Sequence, residues 1–105
     1  MRKGEVWWAD LPSPIGKRPV LLLSRDDAYA VRTSVTVAPL TTTIRKIPVE
    51  IPLLPKEGVP KACVVNCDRL MTINKSLLLT RITNLSDAKL AAVDQAISFA
   101  LDLPS

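Results

Sequence analysis

The sequence predicts a mainly β fold: a small, strongly curved sheet or half-open barrel of short antiparallel strands, with one amphipathic helix at the C-terminus. Three observations predict it. Short apolar or alternating runs recur along the chain and are too brief for helices. Nine prolines and three isolated glycines punctuate them as turns. Only the last stretch, after Ser86, carries apolar residues at sustained helical spacing.

Gly4-Glu5-Val6-Trp7-Trp8-Ala9-Asp10 alternates enough for a first strand, with either Val6 and Trp8 or Trp7 and Ala9 facing the core. Residues 11–17 form a loop, held extended by Pro12 and Pro14 and turned by Gly16. Residues 18–24 are nearly all apolar beyond Arg18 and predict a central strand covered on both faces. Residues 25–32 are polar, with one helical turn capped by Asp26. Residues 33–40 alternate Thr and Val and are the clearest strand. Residues 47–51 form a short strand that Pro48 and Pro52 confine to an edge or a strand end. After a loop with Pro55, Gly58 and Pro60, residues 61–67 form a further strand, which residues 68–75 continue into a bend. Residues 77–85 are the last strand. Ser86 then caps the helix, with Asp87 in its first turn and a stripe of Leu90, Val93, Ile97 and Leu101. Pro104 ends it.

A chain of 105 residues fits one domain with a modest core. No apolar run reaches the ~18 residues of a membrane span. The basic start, Met1-Arg2-Lys3-Gly4, leads into no apolar signal region. The expected compartment is therefore the cytoplasm. The net charge of +4 is unevenly spread. Residues 1–46 hold eight Lys/Arg against four Asp/Glu, and residues 47–105 hold six of each. A localised positive field suits a polyanion or an acidic protein segment.

Absences bound the chemistry. There is no histidine, the usual general base at neutral pH and the commonest metal ligand. Cys63 and Cys67, four apart in a strand, stand about 13 Å from each other at ~3.3 Å per residue. That is too far for a disulfide and too few ligands for zinc. Both read as small core residues. No serine has a histidine to activate it, and three isolated glycines build no phosphate loop.

The strongest functional signal lies at two strand ends. Gly16-Lys17-Arg18-Pro19 carries two cations into the buried run Val20-Leu21-Leu22-Leu23, so Arg18 sits at the rim of a rigid sheet. Pro39-Leu40-Thr41-Thr42-Thr43 ends another strand in a row of hydroxyls. If these ends meet, a phosphodiester fits between them. A one-residue slip decides whether Thr41 or its neighbours Thr42 and Thr43 point inward.

Four blocks, in order over essentially the whole chain, resemble the MazF/PemK-type toxins of bacterial toxin–antitoxin pairs. They are Gly4-Glu5-Val6-Trp7, Lys17-Arg18-Pro19-Val20-Leu21-Leu22-Leu23-Ser24, Thr36-Val37-Ala38-Pro39-Leu40-Thr41 and the segment through Thr72-Ile73-Asn74-Lys75. The resemblance implies an SH3-like barrel with a C-terminal helix, working as a homodimer. It implies metal-free cleavage of single-stranded RNA at short motifs, leaving a 2′,3′-cyclic phosphate and a 5′-hydroxyl, with no cofactor. It also implies inhibition by a cognate antitoxin with an acidic, largely disordered tail. The family's catalytic Arg falls on Arg18 and its catalytic Thr on Thr41. This agrees with elementary chemistry. Attack by the RNA's own 2′-hydroxyl builds negative charge on phosphorus, and fixed donors stabilise it without a side-chain nucleophile. Arg18 offers a planar fork for two phosphate oxygens and Thr41 a hydroxyl.

Candidate RNA-binding residues are Ser13 and Lys17 in the first loop, Ser24 and Arg25 after the second strand, and Asp68 and Arg69. The loop before Arg18 is shorter than usual in the family and lacks its acidic and amide residues. Near Asp68-Arg69 the family often has a Glu-Gln pair and a further Arg, where this chain has Met71. No cleavage motif is therefore carried over, and tRNA or rRNA stand beside mRNA as substrates. Two alternatives differ in kind. One is a toxin of the same fold that poisons DNA gyrase through an exposed C-terminal aromatic, although Phe99 here lies inside the helix. The other is a non-catalytic RNA-binding module held to RNA by Lys17, Arg25, Arg45 and Lys46.

Overall fold

The computed structural model describes residues 1–104. The strands are β1 (Glu5–Leu11), β2 (Gly16–Leu22), β3 (Ser34–Thr41), β4 (Glu50–Leu53), β5 (Cys63–Asn66), β6 (Met71–Asn74) and β7 (Leu78–Asn84). The helices are α1 (Ala28–Val31) and α2 (Asp87–Ala100), with two short 3-10 turns between strands. One antiparallel sheet runs β4-β5-β3-β2-β1-β7, and β6 also pairs with β3. The outer edge of β3 thus changes partner along its length. Residues 34–37 pair with β6, while Leu40 and Thr41 pair with Val65 and Val64 of β5. That split bends the sheet into the expected half-barrel.

The curl buries side chains on both faces. On the inner face Val6, Leu21, Ala38, Leu40 and Val65 pack with Val93 and Ala96 of α2. On the outer face Ala9, Val20, Leu22, Val35 and Val37 pack with Tyr29, Ile73 and Leu78. The choice between the two faces of β1 therefore does not arise. Val6 serves one core and Ala9 and Leu11 the other, while Trp7 and Trp8 are each half-buried. β2 is central and covered on both faces, as its composition predicted.

Several boundaries differ from the expected ones. Gly16 and Lys17 belong to β2 and pair with Leu11 and Asp10. β4 begins at Glu50, after a turn in which the Glu50 N–H donates to the Ile47 carbonyl. Pro52 sits inside β4 because β4 is an edge strand, where a missing N–H costs no ladder bond. Residues 68–75 are not a continuation of β5. The chain turns at Asp68 and returns as β6, whose Thr72 stands opposite Thr36. The short helix α1 has Asp27 at its N-cap, without a side-chain cap, so Asp26 does not cap it.

Helix α2 is capped as read, by Ser86 Oγ accepting from the Lys89 N–H at 3.2 Å. It lies over the start of β1, where a Cβ on Gly4 would come within 3.1 Å of Leu90. Lys3 pairs with Asp94 at 3.2 Å and Lys89 donates to the Pro52 carbonyl at 2.7 Å, tying the helix at both sides. Its apolar stripe is shorter than its spacing predicted. The helix ends at Ala100, so Leu101 is exposed beyond the core, as is Phe99 at 65 %. Cys63 and Cys67 are free, buried and part of the inner core. Burial pushes both thiols up, Cys67 to about 11. Among the described residues, no helix is long and apolar enough to cross a membrane.

Candidate active site

The β2–β3 register decides what meets at the strand ends. Leu22 stands opposite Val37, Leu21 opposite Ala38 and Val20 opposite Pro39. The ladder ends there, and two residues farther along each strand stand Arg18 and Thr41. Alternate residues share a face, so Arg18, Pro39 and Thr41 all look toward the outer side. There they line a cavity of about 170 Å³ with Thr43, Arg45, Asn66 and Arg69. Four segments converge on it: the start of β2, the end of β3, the loop after β3 and the β5–β6 turn.

Each side chain is held for a local reason. Thr41 Oγ1 accepts the Thr43 N–H at 3.2 Å, a turn closed by the strand-end hydroxyl on its own backbone. The bond uses the oxygen as acceptor and leaves its O–H to donate to an anion. Arg45 is anchored by Glu50, which is only 6 % exposed. One carboxylate oxygen accepts the Arg45 N–H at 2.8 Å and the other takes Nη1 at 3.4 Å. Asn66 is buried and its Oδ1 accepts the Asp68 N–H at 3.0 Å, while its carbonyl accepts the Arg69 N–H at 3.3 Å. That turn carries Arg69 to the cavity that Arg18 also lines.

The cavity is lined by three arginines, two threonines and Asn66, with no Asp or Glu in its lining, and one of the arginines, Arg45, is ion-paired to the buried Glu50. Among the described residues, no three His, Cys, Asp or Glu side chains cluster closely enough to hold a metal ion. A donor set of this kind repels cations and fits a phosphate group.

Of the residues singled out from sequence, Arg18, Thr41 and Arg69 come together here. Lys17 lies beside the site on the opposite face, its Nζ 5.3 Å from the centre of the Trp8 ring. Ser13 is exposed in the β1–β2 turn and Asp68 is exposed beside Arg69; neither lines the cavity. Ser24 and Arg25 are at the wrong end of β2, about 20 Å along the strand from Arg18 at ~3.3 Å per residue. Ser24 Oγ is occupied by the Thr36 N–H at 2.8 Å, and Arg25 pairs with Asp27 at 2.9 Å. Asn66 and Arg45 line the cavity without having been assigned to it, and Thr43, offered as an alternative to Thr41, lines it beside Thr41. The basic pair Arg45-Lys46 was visible as charge, but its placement depends on the buried Glu50, which no local pattern marks.

A larger open groove of about 740 Å³ lies elsewhere, against Tyr29 and Lys75. Its lining holds one lysine, which donates to the Tyr29 carbonyl at 2.7 Å, and also Asp26, so it gathers no comparable positive charge.

Fold and cavity together define a small curled-sheet protein with an arginine-lined cavity at two neighbouring strand ends. The chain matches the PemK-like, MazF-like toxins of type II toxin–antitoxin systems over residues 2–101. It is 38 % identical over 101 residues to the probable endoribonuclease MazF5 of Mycobacterium tuberculosis, covering 95 % of this chain and 92 % of that protein. The structure of the M. tuberculosis toxin MazF-mt6 superimposes with a TM-score of 0.88 at 36 % identity, covering 96 % of this chain and 99 % of the other. A mycobacterial endoribonuclease in complex with its cognate antitoxin superimposes at 0.89, with 28 % identity, over 100 % of this chain and 98 % of the other. The chain belongs to the PemK-like, MazF-like toxin family.

Proposed function

We propose that this protein is the toxin of a toxin–antitoxin pair and acts as a metal-independent, sequence-specific endoribonuclease on single-stranded RNA in the cytoplasm. The observation that carries this reading is the carboxylate-free cavity in which Arg18, Arg45 and Arg69 converge with Thr41. The family membership and the relatives named as endoribonucleases support it.

The 2′-hydroxyl of the nucleotide attacks the adjacent phosphorus, and the bond to the 5′-oxygen breaks. The 2′-proton leaves and the 5′-oxygen gains one, giving a 2′,3′-cyclic phosphate and a 5′-hydroxyl. Arg18 and Thr41 donate to the non-bridging oxygens as their charge grows, which is where fixed donors lower the barrier. Arg45 and Arg69 hold the same phosphate or its neighbour. Charge stabilisation is the role of Arg18, since a guanidinium is a poor base.

The reading includes a homodimer and an acidic antitoxin. Phe99, Leu101 and Leu103 are exposed at the end of α2 and supply apolar surface for a second copy. The arginine cavity suits an acidic inhibitory tail. The exposed Phe99 also gives the gyrase-poison alternative the C-terminal aromatic it requires. That alternative leaves the convergence of three arginines on Thr41 without a purpose, so the nuclease reading is preferred.

The test is cleavage of a mixed single-stranded RNA in EDTA by wild type and by Arg18→Ala. Motif-specific cutting that survives EDTA and vanishes in Arg18→Ala is expected. Intact RNA with antitoxin-free wild type, beside inhibition of gyrase, would transfer the protein to the alternative.

A further inference from the structure

A second cavity, of about 200 Å³, adjoins the first and shares Thr41 with it. Its character is opposite. Trp8, Pro19, Leu40, Pro60 and Cys63 make its walls, with the Thr42 hydroxyl and the Lys61 ammonium also lining it. The register explains the division. Trp8 stands opposite Pro19 in the β1–β2 ladder, on the inner face, while Arg18 and Pro39 face outward. The tip of β3 therefore has a cationic cavity on one side and an apolar slot on the other.

We infer that the Trp8 cavity is a nucleobase subsite, in which one unpaired base of the RNA stacks on the indole while the adjoining phosphate occupies the arginine cavity. The inference rests on the nuclease reading above and specifies where that site reads its substrate. Three observations favour a base as occupant. The slot is sized for a single ring system and has no room for a helix. Trp8 lines the slot beside two prolines, and Lys17, outside the slot lining, holds its Nζ over the Trp8 ring at 5.3 Å from the ring centre. The slot meets the phosphate cavity at Thr41, so the two together match the two ends of one nucleotide. Thr42 and Lys61 bring one hydroxyl and one ammonium that can address the base edge, the means by which splayed RNA bases are distinguished.

Trp8 and Trp7 are adjacent but differ in employment. The Trp7 indole N–H donates to Glu5 Oε1 at 2.9 Å and its ring packs against the outer core. Trp7 is therefore the control residue: its loss affects the fold without touching the slot.

The experiment uses the full chain and a short RNA cut at one site. Each nucleotide flanking the scissile phosphate is replaced, one at a time, by an abasic residue. For wild type, one abasic position is expected to lower kcat/KM by roughly ten- to a hundredfold, the range that stacking on an aromatic ring supplies. Trp8→Ala is expected to lower cleavage of intact RNA by a similar factor and to lose little more on that abasic RNA. Trp8→Phe, which keeps a ring, is expected to stay within several-fold of wild type. Thr42→Ala is expected to change the base preferred in a randomised RNA pool while cutting continues. Equal losses for Trp8→Ala on intact and abasic RNA, or wild-type rates at every abasic position, would overturn the subsite and leave the nuclease reading standing. Wild type that cuts no RNA would remove both. An acidic, leucine-bearing peptide whose affinity depends on Trp8, beside RNA cleavage that does not, would assign the slot to a protein partner instead.

Discussion

Arg18 on β2 and Thr41 on β3 line one cavity, two residues outward from the Val20–Pro39 pair of the same ladder. Their separation in sequence is closed by register alone. Because both strands carry buried side chains on both faces, a slip of that register would expose a core. The packing thus fixes the geometry of the site.

Arg18→Ala is expected to lower kcat by roughly 100- to 1000-fold, the range for removing a fixed donor from developing charge. Arg18→Lys restores the charge but not the planar fork, and is expected to recover only a small part. Steady-state kinetics on a single-site RNA check both, with near-UV circular dichroism confirming the fold.

Thr41 separates into hydroxyl and turn functions. Thr41→Ser keeps both the acceptor for the Thr43 N–H and the free donor, and is expected to stay within several-fold of wild type. Thr41→Val loses both, and is expected to fall by roughly ten- to a hundredfold. Equal activity of the two variants would remove the hydroxyl from the mechanism.

Glu50 acts through Arg45. Glu50→Ala strips two acceptors from Arg45 and is expected to cost about 1–3 kcal/mol of stability, read as a lower urea midpoint. Its effect on cleavage and that of Arg45→Ala are expected not to add in the double variant, because one works through the other. Additive losses would separate them.

Stability is expected to fall on the alkaline side. Burial first, then Asp68 and Asp94, push the Cys67 thiol from its ordinary 9.0 up to about 11. Burial first also pushes the Tyr29 hydroxyl from 10.0 up to about 12. Above the ordinary values the unfolded chain releases these protons while the folded chain keeps them. The unfolded state then binds fewer protons, so stability is full below about pH 9 and is lost as pH rises toward the folded values. Urea midpoints from neutral to alkaline pH check this, and Cys67→Ala is expected to flatten the first part of the decline. In the native protein both thiols are expected to resist alkylation near neutral pH.

The curled β architecture, the central β2, the capped helix and the meeting of Arg18 and Thr41 at one cavity were legible in the sequence. Each rests on a local pattern: an apolar run, an alternation, a Ser before a helical stripe, a polar strand end. What escaped depends on non-local events. β6 looked like a tail of β5 because only its pairing with β3 makes it a strand. Arg45 could be seen as charge, but the buried Glu50 that turns it inward lies beyond a Pro-containing loop. Ser24 and Arg25 looked well placed because they end the strand that Arg18 begins. A seven-residue strand sends its two ends to opposite sides of the molecule. The Trp8 slot needs four separate segments and has no linear signature.

The central claim is that the RNA supplies its own nucleophile to a phosphate held by Arg18 and Thr41. The most direct measurement places a single 2′-deoxy sugar immediately 5′ of the scissile phosphate and maps the products at nucleotide resolution. Cutting is expected to stop at that position alone, and the all-RNA control to end in a 2′,3′-cyclic phosphate. Cleavage through the deoxy position at an undiminished rate would contradict the claim.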